Sequence, residues 1–290
     1  MPPSALSTPP RPTQLDALLR DTATRDRRAP LGGGVPTLLC ASGRGGSGTS
    51  LVAALLAVAA AGDGTRVLLI DGDDLVGPLA MLLGVTPTAG WQELRAGRCA
   101  PADVVTPISA TLSLVAGGAP RITGAALPPL GAADRRACFR ALGALHDDAD
   151  LVVIDAGSRL DTIAAAIVPH GRERLVAVVS GADPIATAAA FALCKAVHAR
   201  QPAMPLDVLA NRLEGGDATR AFDAIDGAAR QFLGTALHFA GAVPHDPTLD
   251  AAWRAGMPFL DAAAGSPAAF AAHDVALRAL QSASPSRPGT

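Results

Sequence analysis

With 290 residues, 49% of them hydrophobic and 17% charged, the chain can bury a large core. Its formal charge of −2 gives no whole-chain reason to bind nucleic acid or acidic lipid, and the four cysteines, Cys40, Cys99, Cys138 and Cys194, form no CxxC pair that would suggest a metal site or a disulfide framework. Aromatics are scarce (two Trp, seven Phe, no Tyr), so the core must be built from Ala, Leu and Val, which suits helices packed closely on a parallel sheet.

Residues 1–34 are rich in Pro, Ser, Thr and Arg, end in Gly32-Gly33-Gly34, and read as a flexible arm without a signal peptide's apolar stretch. Inside the arm, Leu15, Leu18 and Leu19 have helical spacing, although a helix over 14–20 is too short to hold without a surface to fold on. From Val35 to residue 281, short apolar runs alternate with Ala-rich helical segments. The pattern predicts strands at 37–41, 66–71, 112–115, 151–155, 175–180, 206–211 and 237–242. It predicts helices at 50–61, 132–146, 184–200, 218–233 and 267–281. Strands apolar on both faces, separated by helices, imply an α/β fold, a single doubly wound and mostly parallel sheet with ligand loops at the strands' carboxyl ends. Residues 282–290 read as a disordered tail. The longest apolar run, 51–61, is far below the about 18 residues that span a bilayer, so a cytoplasmic protein is expected.

The most informative stretch follows the first strand: Gly43-Arg44-Gly45-Gly46-Ser47-Gly48-Thr49-Ser50. It fits GxxxxG-x-S/T between a strand and a helix, the context of a phosphate-binding loop. Glycines let the backbone wrap an anion, the helix N-terminus supplies unpaired N–H groups, and Ser50 sits where a hydroxyl ligand to Mg²⁺ belongs. The chain's single lysine is Lys195, so no lysine can serve this loop. Two acidic strand ends follow, Asp71-Gly72-Asp73 and, after Leu151-Val152-Val153-Ile154, Asp155. Taken as residues alone, the first can also be read as an acidic cap on the next helix.

The loop resembles the deviant Walker A motif of the MinD/ParA ATPases, KGGxGK-S/T. Gly45, Gly46, Gly48 and Ser50 match, Arg44 occupies the signature-lysine position, and Thr49 replaces the P-loop lysine. The resemblance implies ATP or ADP with Mg²⁺ on Gly43, Gly45, Gly46, Ser47, Gly48, Thr49 and Ser50. It implies metal contact through Ser50, Asp71 and Asp155, water positioning by Asp73, and a cation from Arg44, in cis or across a dimer. Asn211 and the loop of Pro244 and Asp246 match positions that line the adenine, and His245 beside them is read as an ordinary loop histidine. A hydrogen bond to a charged group is worth about 1.5–3 kcal/mol, so loss of the lysine weakens nucleotide binding roughly tenfold to a hundredfold, and hydrolysis more. Leu75 and Pro78 also stand where the family carries Gly and Asn, which puts turnover further in doubt.

The order of Asp183–Lys195, Ala229–Gly234, Gly241–Pro247 and Gly265–Phe270 resembles the FlhG/FleN branch, MinD-like regulators of flagellar number and placement. That resemblance implies an FlhF-type SRP GTPase as partner through Gln14, Ala17, Leu19 and Arg20. It also implies a flagellar transcriptional activator, basal-body proteins and a nucleotide-dependent homodimer, with no direct nucleic-acid contact. The helix at 267–281 has Arg278 as its one basic residue, which predicts packing on the core and weak membrane contact at most. The alternative is a working ParA/MinD-type ATPase, with Arg44 compensating, that positions a chromosome or plasmid, a pilus or a cellulose synthase.

Overall fold

The computed structural model describes residues 34–75, 77–118, 128–167 and 172–283. The candidate partner helix, with Gln14, Ala17, Leu19 and Arg20, and the tail from residue 284 lie outside them.

Strand β1 (Thr37–Ala41) runs through the glycine loop into helix α1 (Thr49–Gly62). Next come β2 (Val67–Asp71), α2 (Pro78–Leu82), α3 (Trp91–Arg95), β3 (Val105–Pro107) and β4 (Leu112–Val115). The middle of the chain forms α4 (Ala132–Leu142), β5 (Leu151–Gly157), α5 (Leu160–Ala166), β6 (Glu173–Val179) and α6 (Pro184–Arg200). It closes with β7 (Leu206–Asn211), α7 (Gly215–Leu233), β8 (His238–Val243), α8 (Pro247–Arg254), α9 (Phe259–Ala263) and α10 (Pro267–Ala283).

The strands form one sheet in the order β3-β4-β2-β5-β1-β6-β7-β8, parallel except for the β3–β4 pair. β1, β2 and β7 are buried along their whole length, as runs apolar on both faces require. One face packs on Phe139, Leu142, Ile163, Leu193 and Ile225 of α4 to α7. The other packs on Val52, Leu55 and Leu56 of α1 and on Phe259 and Val275 near the C-terminus. The expected doubly wound α/β sheet is therefore present. Because β5 lies between β2 and β1, Asp155 falls in register with Cys40 on one side and Asp71 on the other. Three carboxyl strand ends thus meet at the glycine loop.

Differences from expectation are local. β3 is a three-residue edge strand ending in Pro107, too short to leave a period. The helix expected over 132–146 stops at Leu142, and a 3₁₀ turn, Gly143–Asp148, follows; Gly143, with the most backbone freedom to lose, is a weak place to continue an α-helix. Helix α10 does pack on α1 and β8, burying Ala268, Ala272, Val275 and Ala276. The cysteines are free, and burial pushes Cys138 up to about 11 and Cys194 up to about 12, which leaves both thiols unreactive at neutral pH. Among the described residues no helix is long and apolar enough to cross a membrane.

Candidate functional site

The glycine loop is built around positions no other residue can fill. Gly46 and Gly48 both have φ of 80°, in the left-handed region. A Cβ on Gly48 would lie 2.3 Å from Asn211 Nδ2, and one on Gly43 would lie 2.1 Å from the Ala189 carbonyl of α6. The loop is therefore wedged between β7 and α6. Inside it runs a chain of hydroxyls: Thr49 Oγ1 donates to Ser42 Oγ at 2.9 Å, Ser42 Oγ donates to the Arg44 carbonyl at 2.9 Å, and Ser47 Oγ donates to the same carbonyl at 3.1 Å. Thr49 is buried. The hydroxyl in the lysine's place is thus used to hold the loop.

Across from the loop, Asp155 is buried at the end of β5 and accepts hydrogen bonds from the Ser50 side chain and from Gly157 N at 3.0 Å. Burial pushes its carboxyl up, and the Ser50 bond offsets this only in part. Asp71, in register beside it, is fully buried. Its Oδ1 accepts from Asp73 N and its Oδ2 from Leu79 N, both at 2.9 Å, and its carbonyl takes Trp91 Nε1 at 2.7 Å. These bonds close the turn after β2 and cap α2, the capping role open to an acidic strand end. Burial and the charge of Asp155 raise Asp71 well above the usual carboxylate range. Asp73 is half-buried, and its Oδ1 accepts from Leu75 N at 2.9 Å.

The raised Asp155 predicts a pH effect with a definite sign. The folded state holds this proton more tightly than the unfolded chain, so stability falls as pH rises from the ordinary carboxylate value through the raised one. Metal-free Asp155→Asn is therefore expected to lose part of the wild-type rise in melting temperature on acidification, and to lose any stabilisation by Mg²⁺. Calorimetric scans of both proteins from pH 7 to about pH 5, with and without Mg²⁺, check this.

The remaining expected residues gather at the same end of the sheet. Asn211, the last residue of β7, donates Nδ2 to the Ser47 carbonyl at 2.8 Å, while its buried Oδ1 has no partner. Pro244 follows β8 and is half-buried. Asp246 caps α8 by accepting from Thr248 N and Leu249 N at 3.0 and 3.1 Å, and reaches Ala268 N of α10 at 3.3 Å. His245 pairs with Asp250 at 3.2 Å. The Arg44 guanidinium rests on the turn before α6: its Nη2 would be 3.0 Å from a Cβ on Gly181, and its charge helps hold Asp183 below the usual carboxylate range, behind the backbone bond from Ala186.

This strand–loop–helix with a serine–aspartate pair on the neighbouring strand can be set against known proteins. No protein-family model matches the chain. It is 27% identical to the antiactivator FleN of Pseudomonas aeruginosa over 221 residues, 74% of this chain and 75% of FleN. The septum site-determining protein MinD of Pyrococcus horikoshii, solved with Mg-ADP, superposes with a TM-score of 0.67 at 19% identity, covering 84% of this chain and 95% of MinD. MinD of Aquifex aeolicus, solved with MinC, gives 0.64 at 19% identity over 88% and 98%. The chain has the MinD/ParA fold. In sequence, the likeness is to FleN.

The Gly46–Gly48 cradle, the Ser50–Asp155 pair and the unpartnered Asn211 Oδ1, which could accept from an amino group of a base, fit a magnesium-bound adenine nucleotide. No side chain of the loop carries an ammonium group.

One part of the site was not predicted. Asp74 and Arg135, of α4, are fully buried and bonded at 2.6 Å; Asp74 also accepts from Leu130 N at 2.6 Å. Arg135 donates on to the carbonyls of Gly72 and Leu130 at 3.3 and 3.0 Å. This pair anchors the turn that carries Asp73. No local pattern could have shown it, since the partners are 61 positions apart.

Proposed function

We propose that this chain is an FlhG/FleN-type regulator of flagellar number and placement that acts in the cytoplasm by binding partners, with Mg-ATP or Mg-ADP as a weak ligand. The observation that carries the reading is the Thr49–Ser42 bond: the residue in the lysine's place is buried and turned into its own loop. Ground-state binding rests on main-chain N–H groups, on Ser50 and Asp155 toward Mg²⁺, and on Asn211 toward the base. Bound Mg²⁺ would neutralise phosphate charge. Asp73, tied to the turn after β2, is the group to orient a water. Without a lysine, the charge that shifts in phosphoryl transfer has little support from the loop, so turnover is slow or absent.

FleN is named an antiactivator, which favours a transcriptional activator as one partner. MinD solved in complex with MinC supports protein partners on this fold, and an FlhF-type GTPase and basal-body proteins follow from the resemblance to the FlhG/FleN branch. Flagellar counts by electron microscopy test the reading. Deleting the gene in the parent organism is expected to change flagellar number or position, and both wild type and Asp155→Asn are expected to restore it. Unaltered flagella in the deletion strain overturn the flagellar role. Restoration by wild type but not by a folded Asp155→Asn overturns the claim that nucleotide is secondary.

A further inference from the structure

The positive charge missing at Thr49 has a second source close by. After β5 the chain passes directly along the phosphate loop. The Gly157 carbonyl accepts from Ser42 N at 2.8 Å, and Ser158 Oγ would be 3.8 Å from a Cβ on Gly45. The next residue is Arg159, whose side chain is 42% exposed. Asp161 grips one edge of its guanidinium, with Nε at 3.3 Å and Nη2 at 3.1 Å. The other edge, Nη1, stands 3.9 Å from Asp74, outside hydrogen-bonding distance, and Asp73 lies within electrostatic reach. Asp74 is already satisfied by Arg135 at 2.6 Å, so the charge of Arg159 is not required there.

We propose that Arg159 is a phosphate-positioning residue, contacting the terminal phosphate of a bound nucleoside triphosphate and supplying there the positive charge that the loop lacks at Thr49. The inference rests on the reading of the loop as a weak nucleotide site. Its logic is geometric. Ser158 lies against the loop glycine Gly45, Arg159 follows it, and Asp73, the expected water-positioning residue, is within electrostatic reach of both Arg159 and Asp155. A guanidinium fixed by Asp161 on one edge has less freedom to lose than a solvated one when it donates to phosphate with the other. The arrangement also differs from a lysine in the loop, because the charge arrives from the neighbouring strand.

Titration calorimetry on the full chain with Mg-ATP and Mg-ADP tests this. Arg159→Ala is expected to weaken Mg-ATP at least about tenfold and Mg-ADP no more than about threefold, with Arg159→Lys in between. Arg66→Ala, which removes an exposed contact to Asp150 at the amino end of β2, is the control and is expected to change neither. Should the Ala variant melt early, Arg159→Gln keeps a polar stem and carries the same expectation. Equal loss for both nucleotides, or no loss, overturns the proposal. Wild type giving no heat with either nucleotide at millimolar concentration also overturns it, while leaving the partner-binding reading intact. Brisk turnover that Arg159→Ala abolishes would uphold it and overturn the eroded-site reading instead.

Discussion

Truncating Arg135 to Ala is expected to cost about 3–5 kcal/mol of unfolding free energy, measured by urea denaturation. The Asp74–Arg135 pair has no solvent access on either side. Removing the guanidinium leaves a core carboxylate with Leu130 N as its remaining close donor and Arg159 Nη1 3.9 Å away, and it strips donors from the Gly72 and Leu130 carbonyls. A buried charge without its partner is the costly case, whereas replacing both partners by groups of similar volume is often neutral or stabilising. Asp74→Leu combined with Arg135→Met should therefore recover much of the loss. The same double change frees the turn carrying Asp73, so hydrogen exchange at residues 72–75 is expected to speed up even where global stability returns. A cost below about 1 kcal/mol for Arg135→Ala would mean that the pair is solvated in solution.

Restoring the lysine is the second large effect. Thr49→Lys is expected to tighten Mg-ATP roughly tenfold to a hundredfold, and Mg-ADP less, as a full charge replaces a hydroxyl. The change has a structural cost, because the Thr49–Ser42 bond is lost, worth about 0.5–1.5 kcal/mol, and Ser42 must find another donor. The variant should therefore be slightly less stable without nucleotide and more stable with it, the second effect following from binding to the folded state alone. Calorimetry with each nucleotide, beside melting curves, separates the two. Unchanged affinity would mean that Arg44 or another cation already does the lysine's work.

Much of this was legible in the sequence. Strands at Thr37–Ala41, Leu112–Val115 and Leu206–Asn211 and the helix Pro184–Arg200 have the expected bounds, because each is a short, mainly apolar run or a helix announced by its cap, Asp183-Pro184. The glycine loop was legible for a similar reason: positive φ and close approach at Gly48 leave one residue type. The tasks of its side chains were not. Thr49 reads in sequence as a missing lysine, and only its distance to Ser42 shows that its hydroxyl is spent on the loop. Asp71 reads as a metal neighbour or a cap, and both of its oxygens are found capping backbone. The Asp74–Arg135 pair joins a turn to a helix 61 positions away, and the place of Arg159 beside Asp74 is likewise set by the fold, which no period or spacing records.

The central claim is that the loop still cups an anion with its main chain while no ammonium closes it. Calorimetric titration of the wild-type chain with Mg-ATP and with Mg-ADP, alongside phosphate release, tests it most directly. Weak binding of both, with affinities within about tenfold of each other, and no appreciable phosphate release are predicted. Tight binding that strongly prefers Mg-ATP, with steady turnover, would contradict the account.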